Sequence, residues 1–123
     1  MNLVLRGREG AERLALGRAA FGVVALLAPR LVGRAWIGSS GSAADVAVVA
    51  RAFGVRDLAL GYGTYKAITE KDGARGWIEA GIAVDAVDGI AALLSPLPLA
   101  KRLGVAAMAV GAVVAGMTAL SDL

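Results

Sequence analysis

Four carboxylates and three guanidiniums stand inside stretches that are otherwise apolar. Asp85 and Asp88 lie three residues apart in GWIEAGIAVDAVDGIAALL, which also carries Glu79 near its start. Arg51, Arg56 and Asp57 fall in RAFGVRDLALGYGTY, and Arg18 interrupts RLALGRAAFGVVALLAP. On a helix, Asp85 and Asp88 share one face. Two carboxylates so placed can share a proton, because like charges at close range resist joint ionisation. With Asp57 they could act as general acid and base on an apolar substrate. They could relay a proton or a cation, or simply pair with the arginines. Mg²⁺ on a phosphate is a weaker fit, because a midplane carboxylate protonates more readily than it chelates. The chain has no Cys and no His. Disulfides, thiol redox chemistry, Cys/His zinc sites and imidazole catalysis are therefore excluded. No metal site and no cofactor is expected, and the residue types leave open whether the chain is an enzyme.

These charges need elements to position them. Of the 123 residues, 58% are hydrophobic and 19% charged, with mean hydropathy +0.69. A soluble domain has roughly 45–50% apolar and about 25% charged residues, and a short soluble chain has little interior in which to hide the excess. A lipid bilayer is the expected solvent. Four apolar runs are each close to the roughly 20 residues that a helix needs to cross hydrocarbon. They cover about 13–29, 45–68, 76–95 and 99–120. Pro29 with a Gly/Ser cluster, the polar EKDGARGW, and SPLPLAKR punctuate them. Ser42 or Asp45 is a candidate cap for the second helix, and residues 1–13 read as an interfacial lead-in. Arg18 argues against a cleaved signal peptide, so the first helix is expected to be retained. The expectation is one all-α domain, 1–123: a four-helix transmembrane bundle, antiparallel up-down-up-down.

Net charge is +3 and the isoelectric point about 9.8. The basic residues cluster at the ends of apolar runs, without the stripe that nucleic acid requires, so no nucleic-acid partner is expected. Arg6, Arg8, Arg13, Lys71 and Arg75 fall on the N-terminal side, against Arg30, Arg34, Lys101 and Arg102 on the other. That tilt favours cytoplasmic termini in a multi-pass protein of the inner (plasma) membrane. Trp36 and Trp77 read as interface anchors, Tyr62 and Tyr65 as packing residues.

Steps of three and four draw one small-residue seam on each run. The first is Ala11, Ala15, Arg18, Gly22, Ala25, Pro29; the second Ala50, Gly54, Asp57, Gly61, Thr64. The third is Gly81, Asp85, Asp88, Ala92, Ser95; the fourth Ala100, Gly104, Ala107, Gly111, Val114, Thr118. Small residues let membrane helices approach closely, so the seams should face a common centre. An unpaired charge there costs about 2.5–3.5 kcal/mol. Seven would cost roughly 20 kcal/mol, beyond the ~5–15 kcal/mol that holds a domain together. Arg18, Arg51, Arg56, Asp57, Glu79, Asp85 and Asp88 are therefore expected to form one buried network. Arg18 should pair with Glu79 or Asp85, and Arg51 with Asp88. Three positive and four negative groups leave one carboxylate neutral or bound to a cation.

With these motifs, Arg51-x-Phe53-Gly54-x-Arg56-Asp57-x-x-x-Gly61 and Asp85-x-x-Asp88 above all, most of the chain resembles small four-helix bacterial membrane proteins of unknown function. It is loosely similar to the DoxX-like membrane proteins. The resemblance implies a fold and no reaction. A structural or accessory, partner-binding role is the leading expectation, in a homo-oligomer or with a partner membrane protein. A proton- or cation-coupled small transporter is one alternative. An intramembrane enzyme or lipid-binding protein with an apolar ligand at Asp57, Asp85 and Asp88 is the other.

Overall fold

The structure, a computed structural model, describes residues 7–38, 43–121 and 123. Arg6, the possible cap Ser42 and the Trp36 side chain lie outside the described residues. Among the described residues there are five α-helices and no strand. They are α1 (Gly7–Leu27), α2 (Pro29–Ile37), α3 (Ala44–Thr69), α4 (Ala74–Leu94) and α5 (Leu99–Ser121).

Four of these occupy the expected apolar runs, and α2 is additional. Its cause is Pro29. A residue before proline is pushed out of the α region, and Ala28 sits at φ −132°. Proline is well suited to the first helical position, so a new helix starts there, bent 110° from α1. The segment expected to be a connector is thus helical. At the other end α1 starts at Gly7, so residues 7–13 continue the helix and are not a separate lead-in. Arg8 extends from that first turn to the carbonyl of Ile68 at 2.6 Å, satisfying a free acceptor at the end of α3. Asp45, the cap candidate among the described residues, does not cap α3. Ala43 precedes the helix without a side-chain hydrogen bond, and the Asp45 carboxylate accepts only from the adjacent Val46 N–H.

α1 and α3 run antiparallel at backbone contact. A Cβ on Gly22 would lie 2.5 Å from the Gly54 carbonyl oxygen and from the Leu58 nitrogen, and Gly61 sits equally close to Ala15 and Ala19. α4 and α5 form the second close pair, with Gly89 against Ala109 and Gly116 against Ile82. Contact between the pairs, α3 with α4 and α1 with α5, is sparser. A small cluster of Ala11, Ile68, Ile78 and Ala119 joins all four long helices at one end. α2 lies mainly against α3.

The seams expected on α1, α3 and α4 face inward: Ala15, Ala25, Ala50, Gly54, Gly61, Gly81 and Ala92 are all buried. On α5 the expectation is overturned. Ala100, Gly104, Ala107, Gly111 and Val114 point away from the other helices. α5 instead packs through Ala109, Gly116 and Ala119. Its composition is small on several faces, so spacing alone does not select one.

Of α5, only Ala119 is buried; Leu103, Met108, Val110, Val114 and Met117 are each more than half exposed. Among the described residues α5 is the one unbroken helix long and apolar enough to cross a membrane, with hydropathy 2.1. The bent pair α1–α2 would be a second if it counts as one span. α3 and α4 carry too many charges for the same description.

Candidate functional site

The two close pairs face each other across a cleft of about 740 Å³. Arg18, at the middle of α1, forks across it. Its Nη1 donates to Asp57 Oδ1 at 3.3 Å, and its Nη2 donates to Asp85 Oδ2 on α4. Arg56, at the middle of α3, makes the second bridge. Its Nη1 and Nη2 donate to both oxygens of Asp88, at 3.0 and 2.7 Å. This two-pronged guanidinium–carboxylate fork is the strongest geometry available to such a pair. Arg56 also donates weakly, from Nε and Nη2, to Asp57 Oδ1 at 3.4 Å. The Phe53 ring, one turn before Arg56, lies 4.7 Å beneath its guanidinium carbon, within cation–π reach.

Five of the seven expected residues therefore meet. They do so because their helices are antiparallel and each carries its charge at mid-length. Asp57 and Asp85 are 8% and 9% exposed. The arginine side chains remain 23% and 29% exposed and Asp88 34%. The expected sealed network is instead the wall of a cleft, with Asp57 and Asp85 buried and Asp88 and both guanidiniums partly open.

Arg51 and Glu79 stand apart. Arg51 is exposed, and its Nε donates to the Leu26 carbonyl at 3.3 Å. The Asp88 partnership expected for it belongs to Arg56, because a five-residue offset puts the two arginines on different faces of α3. Glu79 is exposed and faces Arg75, one turn earlier, at 3.8 Å. Arg18, at the middle of α1, reaches Asp85 at the middle of α4 and not Glu79 in the second turn of that helix. Asp85 and Asp88, the pair read as sharing a proton, turn to different arginines and present no common chelate. Among the described residues no group of three potential ligands is placed to hold a metal ion.

Sequence reasoning placed the charges but not the cleft or its aromatic wall. Phe21, Phe53 and Trp77 line it together with the network. The spacing of Phe53 to Arg56 was a usable signal. Trp77, expected at an interface, packs its ring over Gly63 of α3. Comparison of the chain with protein-family models, with characterised proteins and with solved structures finds no match.

Proposed function

We propose that the chain is a small integral membrane protein of the bacterial plasma membrane, loosely DoxX-like, with a structural or accessory, partner-binding role. In this reading α1, α3, α4 and α5 cross the bilayer as an antiparallel up-down-up-down bundle, and α2 lies along the interface. The exposed apolar surface of α5 carries the reading: a 23-residue helix of hydropathy 2.1 has its large side chains facing outward. Water would penalise that surface at ~25 cal/mol per Å², and lipid does not. The mid-length charges Arg18, Arg56, Asp57, Asp85 and Asp88 fit the same picture, since they turn toward one another rather than toward the outward apolar faces. Ion pairs of this kind contribute little net stability but do specify register and choice of neighbour. A second copy or another membrane protein is the expected partner.

Alkaline carbonate extraction of membranes from expressing cells tests the reading. The chain should stay in the pellet and require detergent for release. A chain that remains monodisperse in buffer without detergent overturns it. A neutralised network, Arg18→Gln with Asp57→Asn and Asp85→Asn, should keep its oligomeric state if the ion pairs serve register alone.

The cleft favours a second reading, a small carrier or an intramembrane lipid-binding protein or enzyme. Its volume lies within the ~300–1,000 Å³ of ordinary ligand pockets. A ligand retained through purification and lost on narrowing the cleft would favour it over the structural role.

A further inference from the structure

The cleft and its charge balance say what it would accept. Its walls are apolar almost throughout, and six charged residues line it: Arg13, Arg18, Arg56, Asp57, Asp85 and Asp88. Arg13 is paired with Glu9 at 2.5 Å, which removes it from the account. Two guanidiniums then face three carboxylates, a surplus of one negative charge. The surplus has an address. Asp85 takes one arm of Arg18, and Asp88 takes the full fork of Arg56. Asp57 receives only the long contacts of 3.3 and 3.4 Å, and every one of them ends on Oδ1. Its Oδ2 accepts no hydrogen bond from the described residues, on a residue only 8% exposed. That oxygen keeps some exposure on a side chain otherwise 11% exposed, so it is the point at which a positive partner would reach the carboxylate.

We infer that the cleft binds a monovalent organic cation with a bulky apolar body, its charge facing Asp57. One positive charge brings the site to neutrality. Phe21, Phe53 and Trp77 line the same space, and aromatic faces attract an organic cation. The apolar walls select for a body that loses little on leaving water, and a small hydrated ion such as Na⁺ would find too few oxygen ligands beside Asp57. An anion meets the surplus carboxylate and is repelled.

This inference rests on the membrane reading above, and the two can fail separately. Detergent dependence is measured first, on the full chain without ligand; a chain soluble without detergent sinks the membrane reading. Binding is then measured by calorimetry on the chain in lipid nanodiscs. The probes are tetraphenylphosphonium, tetraphenylborate of nearly the same shape and opposite charge, and neutral triphenylphosphine oxide. Empty nanodiscs serve as the partition blank. Tetraphenylphosphonium should bind saturably, at least about tenfold more tightly than the neutral probe, and tetraphenylborate should show no saturable binding. Asp57→Asn should weaken the cation by about tenfold or more and leave the neutral probe unchanged, while Asp57→Glu should keep cation preference. Equal affinity for cation and neutral probe would overturn the inference, as would tighter binding of the borate. So would an Asp57→Asn variant that holds the cation as well as the parent, the outcome expected if Asp57 simply carries a proton. Should Asp57→Asn fail to fold, judged by helical circular dichroism, discrimination among the three probes by the unaltered chain decides alone.

Discussion

Removing the Arg18 guanidinium strands two carboxylates at once, Asp57 on its own side of the cleft and Asp85 on the other. Exposed ion pairs are worth about 0–1 kcal/mol, and breaking a fully buried pair costs about 3–5 kcal/mol. Arg18, 23% exposed beside nearly buried partners, falls between. Arg18→Ala should therefore lower stability by about 2 kcal/mol, read by thermal unfolding in detergent. Adding Asp85→Asn should recover part of that loss, because it removes one of the stranded charges. Arg75→Ala is the control. Its pair with Glu79 spans 3.8 Å between side chains 66% and 55% exposed, and its loss should stay within about 0.5 kcal/mol. If both arginines behaved alike, the network would have no structural role.

Between elements, two kinds of helix contact are separable by glycine. At Gly22 a new methyl group would be driven into the backbone of α3. Backbone has nowhere to go, so Gly22→Ala should cost about 1–3 kcal/mol, the usual penalty of overpacking. At Gly111 nothing lies within 4 Å, and Gly111→Ala should be neutral or stabilise by up to ~1 kcal/mol through helix propensity. Opposite signs in thermal unfolding would confirm that α1–α3 is a backbone-close interface and that this face of α5 is open in the single chain. A penalty at Gly111 equal to that at Gly22 would mean that a neighbour covers α5.

For the whole molecule, the antiparallel order makes a topological prediction. The α3–α4 turn at Glu70–Gly73 and the α4–α5 turn at Ser95–Pro98 fall at opposite ends of the helices. The chain contains no cysteine, so single introduced thiols report without background. Asp72→Cys should react with a membrane-impermeant maleimide only from the cytoplasmic side, and Pro96→Cys only from the opposite side. Labelling of both from one side would dispose of the four-span arrangement.

What the amino-acid order determined by itself was local: helical apolar runs, their punctuation, and the mid-length charges on small-residue faces. Those follow from composition and from periods of three to four residues. Partner choice was another matter. Whether Arg51 or Arg56 would meet Asp88, or Glu79 or Asp85 would meet Arg18, depended on how α1 and α4 align along their lengths and on which face of α3 turns to α4. A residue or two of shift, or a rotation of tens of degrees, exchanges one neighbour for another. The outward turn of Gly104 and Gly111 on α5 had the same origin: a helix small on several sides has no preferred face until its neighbours occupy one. The cleft was least legible of all, because it is the space left between two close helix pairs. No residue encodes that space; it arises because α1–α3 and α4–α5 each pack more tightly within the pair than across it.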